Sequence, residues 1–368
     1  MTLLYNKLII YTFYYGVVQI LKTERKKINV KAHLKAIIAV SVCAALIIGV
    51  VVADFVKGRK EYSANDIAMN TIISIKLYGS DGKENAETVK SELHDIEKSL
   101  LSRYEEGSDV YRINNASDGE AVAVSPEVAS IISDAVDISA DCGGVFDITV
   151  GRITELWGFG GDSPRLPSSN GINALLPYVG SQKLKLSDST VKLGSNQAID
   201  LGAVGKGAAC DMIKTRLSSM SSDSALISVG GSLLLYGKRD FTIGISNPEN
   251  DKEYMGTLKL SDTCVSTSGD YEQFFEQDGK TYHHILNALT GYPADSHLKS
   301  VTVICESGVC SDALSTACFI MGYNDNSLAL LKKYNAEAVF ITSNKIVRCT
   351  DGIKDSFELS DKSFIMGE

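Results

Sequence analysis

The sequence predicts an α+β domain, and three observations carry that expectation. Asn70 to Tyr78 (NTIISIKLY) alternates apolar and polar residues as a half-buried strand does. Asn85 to Leu101 repeats apolar residues at helical spacing, through Ala86, Val89, Leu93, Ile96 and Leu100, with acids and lysines between them. Beyond these, helices and short strands interleave without the regular rhythm of a parallel β-α-β sheet, and neither an internal repeat nor a low-complexity tract is present. The 368 residues can bury a substantial core. With 44% hydrophobic residues, 22% charged residues and a net charge of -9, the chain reads as a soluble acidic globule carrying an apolar appendage. An acidic composition of this kind does not invite nucleic acid.

The appendage is N-terminal. Ala36 to Ala53 (AIIAVSVCAALIIGVVVA) is an uncharged run of 18 residues, about 27 Å long as a helix and close to the thickness of a bilayer core. Before it, Lys22, Arg25, Lys26, Lys27, Lys31 and Lys35 face a single acid, Glu24, which by the positive-inside rule puts this stretch in the cytoplasm and everything after Ala53 outside. The run either stays as an anchor or is a cleaved signal. Val42 directly before Cys43 disfavours a lipoprotein. The shorter apolar run Leu8 to Leu21 is a second span, an interfacial segment, or the product of a start site placed too early. The expected organisation is a basic cytoplasmic segment (1–35), an anchor or signal (36–53), a charged linker (54–63) and one exported catalytic domain (64–362), with the protein at the cell membrane.

Of eight cysteines, Cys43 lies in the apolar run, and the other seven form no C-x-x-C pair, so a zinc site is not expected. Cys305 and Cys310 are the only nearby pair for a disulfide. The rest read as small core hydrophobes.

Five glycine-punctuated stretches follow. Cys142 to Gly161 (CGGVFDITVGRITELWGFGG) sets the only Trp, Trp157, among glycines, as a loop tucked under an aromatic or a ligand cradle. Ile199 to Met212 (IDLGAVGKGAACDM) reads as a strand end carrying Asp200, a loop with Gly202, Gly205 and Gly207, and a helix whose N-terminus suits an anion. It is neither a Walker A loop nor G-x-G-x-x-G. Ala225 to Gly237 (ALISVGGSLLLYG) is a buried strand broken at Gly230 and Gly231, either by a bulge or by the close approach of another backbone or a flat ligand. Val265 to Tyr271 (VSTSGDY) leads through Phe274 and Phe275 to Lys280–Ala294 (KTYHHILNALTGYPA). Ser300 to Gly322 (SVTVICESGVCSDALSTACFIMG) is a strand, then a helix expected from Ser311 and ended by Gly322. Asp312 and Thr316, four apart, share a helical face. A carboxylate and a hydroxyl, joined by a loop carbonyl, form an oxygen set suited to Mg²⁺, although D-x-x-x-T alone is more often a cap or a solvated face.

In order and wording these stretches resemble the FAD:protein FMN transferase family, also called ApbE-like, over roughly Asn65 to Tyr323. The resemblance implies a single ApbE-like domain of mixed sheets and helices. It further implies transfer of FMN from FAD to a Thr or Ser of an acceptor protein through a phosphoester, with release of AMP and a requirement for Mg²⁺. It implies a metal held by Asp312, Thr316 and the backbone carbonyl of Ala203. Contacts to FAD are implied for Met69, Tyr104, Val145, Phe146, Asp147, Asp200, Lys206 and the backbone near Leu286. His284 matches the essential histidine, as a base or proton relay or in a positioning role. His283, which an extended segment points to the opposite face, packs or meets solvent.

Three positions depart from the family pattern. Asn70 stands in the usual Met-Gly-Thr, Asn287 and Ala288 replace the usual Asp-Pro, and Ser232 sits where an acid is frequent. The expected partner is a separate exported or membrane-bound redox protein bearing an Asp-x-x-(Ser/Thr)-Gly-Ala-(Thr/Ser) target, since this chain carries none. The alternatives are an Mg²⁺-dependent FAD pyrophosphatase, which transfers to water, and a non-enzymatic exported FAD-binding protein.

Overall fold

The computed structural model describes residues 61–367 apart from 162 and 221. The expected anchor, its basic flank and most of the linker lie outside the described residues. Among those described, no helix is long and apolar enough to cross a membrane.

A nine-stranded sheet organises the domain. Its strands are β1 (Glu61–Ala68), β2 (Thr71–Tyr78), β3 (Ser224–Val229), β4 (Ser232–Tyr236), β5 (Thr263–Gly269), β6 (Leu298–Cys305), β7 (Glu337–Thr342), β8 (Ile346–Cys349) and β9 (Ile365–Met366). They lie side by side in chain order. Every neighbouring pair is antiparallel except β8 with β9. Helices are inserted between strands: α1 (Gly82–Ile96), α2 (Asp109–Asn114), α3 (Pro126–Asp141), α4 (Gly151–Trp157), α5 (Ser169–Leu175), α6 (Gly205–Ser218), α7 (Gly308–Met321) and α8 (Asp325–Lys333). An antiparallel meander with helical insertions has no β-α-β period, which is the mixed α+β pattern the sequence shows.

Ile73, Ile75 and Leu77 alternate into one face of β2 and pack, with Ile227 and Val229 of β3, against Ala86, Val89 and Leu93 of α1 and Ile213 and Leu217 of α6. Each Val, Leu or Ile among them, fully withdrawn from water, contributes roughly 1.5–3 kcal/mol. The other face, through Leu235, Val265 and Ile341, packs against a small sheet that contains Phe241–Asn247 and Asn250–Leu260.

Four expectations about elements change. Strand β1 opens at Glu61, inside the stretch expected as linker, and β9 reaches Met366, past the expected end of the domain; each pairs with its neighbour, and β9 is too short at two residues to show a period. The helix carrying Asp312 starts at Gly308, where Ser307 accepts the Cys310 N–H as its cap. Gly205 and Gly207 lie in the first turn of α6 and not in the loop before it. Gly230 and Gly231 form the turn joining two antiparallel strands, not a bulge, with Gly230 at φ 59°. All seven cysteines among the described residues are free thiols.

Candidate active site

The site gathers at one end of the sheet, where the β1–β2 turn, the β3–β4 turn and the end of β5 meet α6 and α7. The two helices run close together, because a Cβ on Gly207 would stand 1.9 Å from the Gly308 carbonyl oxygen and one on Gly308 would stand 2.2 Å from the Gly207 oxygen. Across this glycine contact the helices exchange carboxylates. Asp211 of α6 accepts the N–H groups of Gly308 (2.7 Å) and Val309 (3.0 Å) and the Ser307 hydroxyl (3.1 Å) at the start of α7. In return, Asp312 of α7 accepts the Gly207 N–H at 2.6 Å in the first turn of α6. Each anion answers the positive end of the partner helix.

The pairing lies beside Ala203. α6 is capped at Val204 and opens with Ala208 donating to Val204 at 2.9 Å. The Gly207 N–H is therefore one of the first-turn donors that no helix can satisfy internally, and Asp312 accepts it. Ala203 stands in the turn just outside the helix, and among the described residues its carbonyl accepts no backbone N–H.

Asp312 is 5% exposed. Its other oxygen accepts the Ser232 hydroxyl at 2.5 Å. Burial pushes its pKa up, against the Lys206 charge and the hydrogen bonds from Ser232, Ser266 and Gly207. Thr316, one turn further along α7, is held by the Ser268 hydroxyl at 3.2 Å. A second bond, from Ser266 to Ser311 at 2.8 Å, fixes β5 against α7. No cluster of three or more His, Cys, Asp or Glu side chains able to hold a metal occurs among the described residues. The oxygens present are one carboxylate, one hydroxyl and one carbonyl, a set that fits a hard cation such as Mg²⁺, which retains waters and takes phosphate oxygens as further ligands.

The histidine pair divides as its backbone requires. His283 ends the strand Lys280–His283 and is core: it is 8% exposed, its Nε2 lies 2.9 Å from the Ala294 carbonyl, and its ring meets Phe319 edge-on. His284 is half-buried, and its backbone N–H donates to the Gln273 carbonyl at 3.0 Å. Its Nδ1 lies 3.3 Å from the same oxygen. A carbonyl only accepts, so the proton sits on Nδ1 and Nε2 keeps its lone pair. Burial first, then the Lys206 charge, lower its pKa to about 4. The ring meets Phe159 edge-on at 6.5 Å, at the margin of a cluster in which Trp157 donates to the Gly291 carbonyl at 2.8 Å.

Other expected site residues divide into two groups. Met69, at φ 54°, occupies the β1–β2 turn, and its Cε lies 3.9 Å from where a Gly205 Cβ would stand. Lys206 sends its charge to Asp312, His284 and Glu272. Asp200 lies before the Ala203 turn. These gather with Ala203, His284, Asp312 and Thr316. Tyr104 is 62% exposed, with its hydroxyl 3.9 Å from the Cβ position of Gly160. Val145 accepts the Ala288 N–H at 2.9 Å, and Phe146 and Leu286 are buried in apolar clusters. The Asp147 carboxylate is occupied by Ser139, by the Thr149 N–H and hydroxyl, and by the Ser181 N–H, all within 3.1 Å. Asp147 therefore shapes the wall of a cavity of about 400 Å³, lined also by Gly143, Gly144, Ser181 and Leu289.

The three sequence departures have local explanations. Asn70 sits at φ 55°, a left-handed conformation that Asn and Gly both adopt. Asn287 accepts the Leu289 N–H at 2.9 Å, a turn-capping task open to Asp or Asn, and it does not orient His284. Ser232 supplies the hydrogen bond to Asp312.

Three charged residues escaped the sequence reading. Arg103 pairs with Asp200 at 3.0 Å. Glu272 brings Oε1 to 3.1 Å from the Cβ position of Gly231. Asp211 caps α7. Asp211 was visible beside the Gly205–Gly207 stretch, whereas Arg103 and Glu272 carry no periodic or motif signal.

A meander sheet whose turns and paired helix starts enclose a buried carboxylate, an imidazole and a lysine defines an ApbE-like α+β domain. The chain belongs to the ApbE family, whose family model matches residues 69–340. It is 33% identical over 298 residues to an FAD:protein FMN transferase of Klebsiella pneumoniae (strain 342), covering 78% of this chain and 91% of that protein. Among solved structures, the ApbE protein of Thermotoga maritima superposes with a TM-score of 0.75 at 31% identity, covering 81% of this chain and 99% of that one. The apo form of the Pseudomonas stutzeri flavinyl transferase ApbE gives 0.72 at 28% identity, covering 82% and 98%.

Proposed function

We propose that this protein transfers FMN from FAD to a Thr or Ser of an acceptor protein, forming a phosphoester and releasing AMP, with Mg²⁺ required. The observation that carries this reading is the Ala203 carbonyl, which stands in the turn before α6, accepts no backbone N–H among the described residues, and lies next to the helix start that Asp312 reaches through the Gly207 N–H. It completes an oxygen set with Asp312 and Thr316 beside Lys206. The similarity to FAD:protein FMN transferases along most of the chain supports the choice of substrate.

When bound, Mg²⁺ would supply charge neutralisation for a pyrophosphate. The residues of the chain do the rest. Lys206 and the N–H groups at the start of α6 attract the phosphates. The cavity beside Val145–Asp147 gives room for part of the dinucleotide. His284 presents a neutral Nε2, ready to accept a proton. The acceptor hydroxyl oxygen bonds to the FMN-side phosphorus, the phosphorus–oxygen bond to AMP breaks, and the hydroxyl proton passes to His284. The bond electrons leave with AMP, and no enzyme-bound intermediate is needed.

The apolar run Ala36–Ala53 with its basic flank supports a catalytic domain held at the outer face of the cell membrane, acting on an exported redox protein with the Asp-x-x-(Ser/Thr)-Gly-Ala-(Thr/Ser) target. The test is AMP release from FAD with Mg²⁺, with and without such an acceptor. Release that requires both supports transfer, and release equal in either case identifies a pyrophosphatase.

A further inference from the structure

Arg103 is half-buried in the loop before α2, its side chain 16% exposed, and it ties three segments together. Its Nη1 donates to Asp200 Oδ2 at 3.0 Å, and its Nη2 donates to the Gly151 carbonyl at the start of α4 at 3.4 Å. The other oxygen of Asp200, Oδ1, accepts the Gly202 N–H at 2.8 Å. Gly202 directly precedes Ala203, whose carbonyl faces no helical donor. The connection from Arg103 through Asp200 to the Gly202–Ala203 turn is therefore a continuous set of hydrogen bonds.

Both Asp200 oxygens have protein donors, so the carboxylate is held from two sides and holds the turn in place. Gly151 fixes the far end, because a Cβ there would stand 2.7 Å from the Ala198 carbonyl oxygen, and its N–H donates to that oxygen at 3.1 Å. Arg103 thus braces the strand end before Ala203 against the start of α4. A planar guanidinium suits this double task, with one nitrogen on a carboxylate and another on a carbonyl.

We propose that Arg103 is a positioning residue for the cation site, acting through Asp200 to aim the Ala203 carbonyl. The assignment rests on the reading that Asp312, Thr316 and Ala203 hold Mg²⁺. Partners that orient metal ligands typically contribute roughly 10–100-fold to metal affinity, and Arg103→Ala is expected to weaken Mg²⁺ binding by that factor.

The test is calorimetric titration with Mg²⁺ alone, without FAD, on the wild-type protein, Arg103→Ala, Arg103→Lys, Asp200→Asn, Asp312→Ala and the double variant Arg103→Ala with Asp200→Asn. Circular dichroism checks that each is folded. The assignment predicts a loss in Arg103→Ala, partial recovery in Arg103→Lys, and a double variant no worse than the more damaged single one. An Arg103→Ala affinity within twofold of wild type overturns it, as do effects that simply add. Should Arg103→Ala not fold, Arg103→Lys and Asp200→Asn decide the matter by the same criterion. Wild-type binding lost in Asp312→Ala but unchanged in Arg103→Ala refutes the Arg103 role alone. Wild-type protein that binds no Mg²⁺ refutes the cation reading and the Arg103 role with it.

Discussion

Gly207 and Asp312 are 105 residues apart in the chain and joined by a hydrogen bond of 2.6 Å. That bond satisfies a first-turn N–H that α6 cannot pair by itself, and it requires α6 and α7 to touch at Gly207 and Gly308. Helix packing is thus what brings Asp312 to the turn that carries Ala203.

Gly207→Ala tests the packing. Its methyl group would meet the Gly308 backbone at 1.9 Å, where no side chain can rotate away. Overpacking of this kind costs roughly 1–3 kcal/mol, and both the melting temperature and Mg²⁺ binding are expected to fall. A variant as stable as wild type with intact Mg²⁺ binding contradicts the contact.

Asp312→Asn separates stability from function. Burial raises the Asp312 pKa, so its contribution to stability is complete below the ordinary carboxylate pKa and is lost as pH rises through the raised value. Without metal at neutral pH, the Asn variant is expected to melt no lower than wild type, with the difference closing in acid. Turnover should drop by roughly 10²–10³-fold or more. Thermal melts across pH, with and without Mg²⁺, check this. Retained turnover would remove Asp312 from the site.

The two histidines should fail in different ways. His283→Gln loses a buried ring packed on Phe319 and is expected to lower stability. His284→Gln should leave the melting temperature nearly unchanged and reduce turnover by roughly 10²–10⁴-fold. The reverse pattern, read from melting curves and initial rates, would exchange their roles.

The His284 pKa of about 4 gives a pH prediction. A depressed value means that the histidine's contribution to stability is complete above about pH 6.5, its ordinary value, and disappears as pH falls through 4. The neutral imidazole persists over the same range. The acid limb of kcat/KM is therefore expected between pH 4 and 5, and an inflection near 6.5 that is lost in His284→Gln would count against the burial that sets this value.

Asn70 offers a backbone test. Asn70→Gly is expected to be neutral within about 0.5 kcal/mol, because φ 55° suits either residue. Asn70→Val, β-branched, should cost roughly 1–3 kcal/mol, measured by denaturant unfolding. A tolerated valine would show that the turn has another conformation.

The sequence made legible whatever repeats with a period or sits in a motif. The buried face of α1 follows from Ala86, Val89, Leu93 and Ile96, and Asp312 with Thr316 from their four-residue spacing. Strand β1 was missed because Asp66 interrupts its inward face of Tyr62, Ala64 and Ala68 while Ile67 sits on the outward face with Glu61, Ser63 and Asn65, so apolar and polar residues do not alternate cleanly. The Arg103–Asp200 and Asp211–α7 contacts join segments roughly a hundred residues apart, which no local pattern records. The packing role of Phe146 and the four hydrogen bonds of Asp147 are likewise properties of the folded chain.

The central claim is transfer to protein, and the acceptor's mass tests it most directly. The domain from Glu61 onward is mixed with FAD, Mg²⁺ and an acceptor bearing the Asp-x-x-(Ser/Thr)-Gly-Ala-(Thr/Ser) target, and the acceptor is weighed by mass spectrometry. The account predicts a gain equal to one FMN, with AMP released and both abolished by a chelator. An acceptor of unchanged mass beside free FMN and AMP, or beside intact FAD, would contradict it.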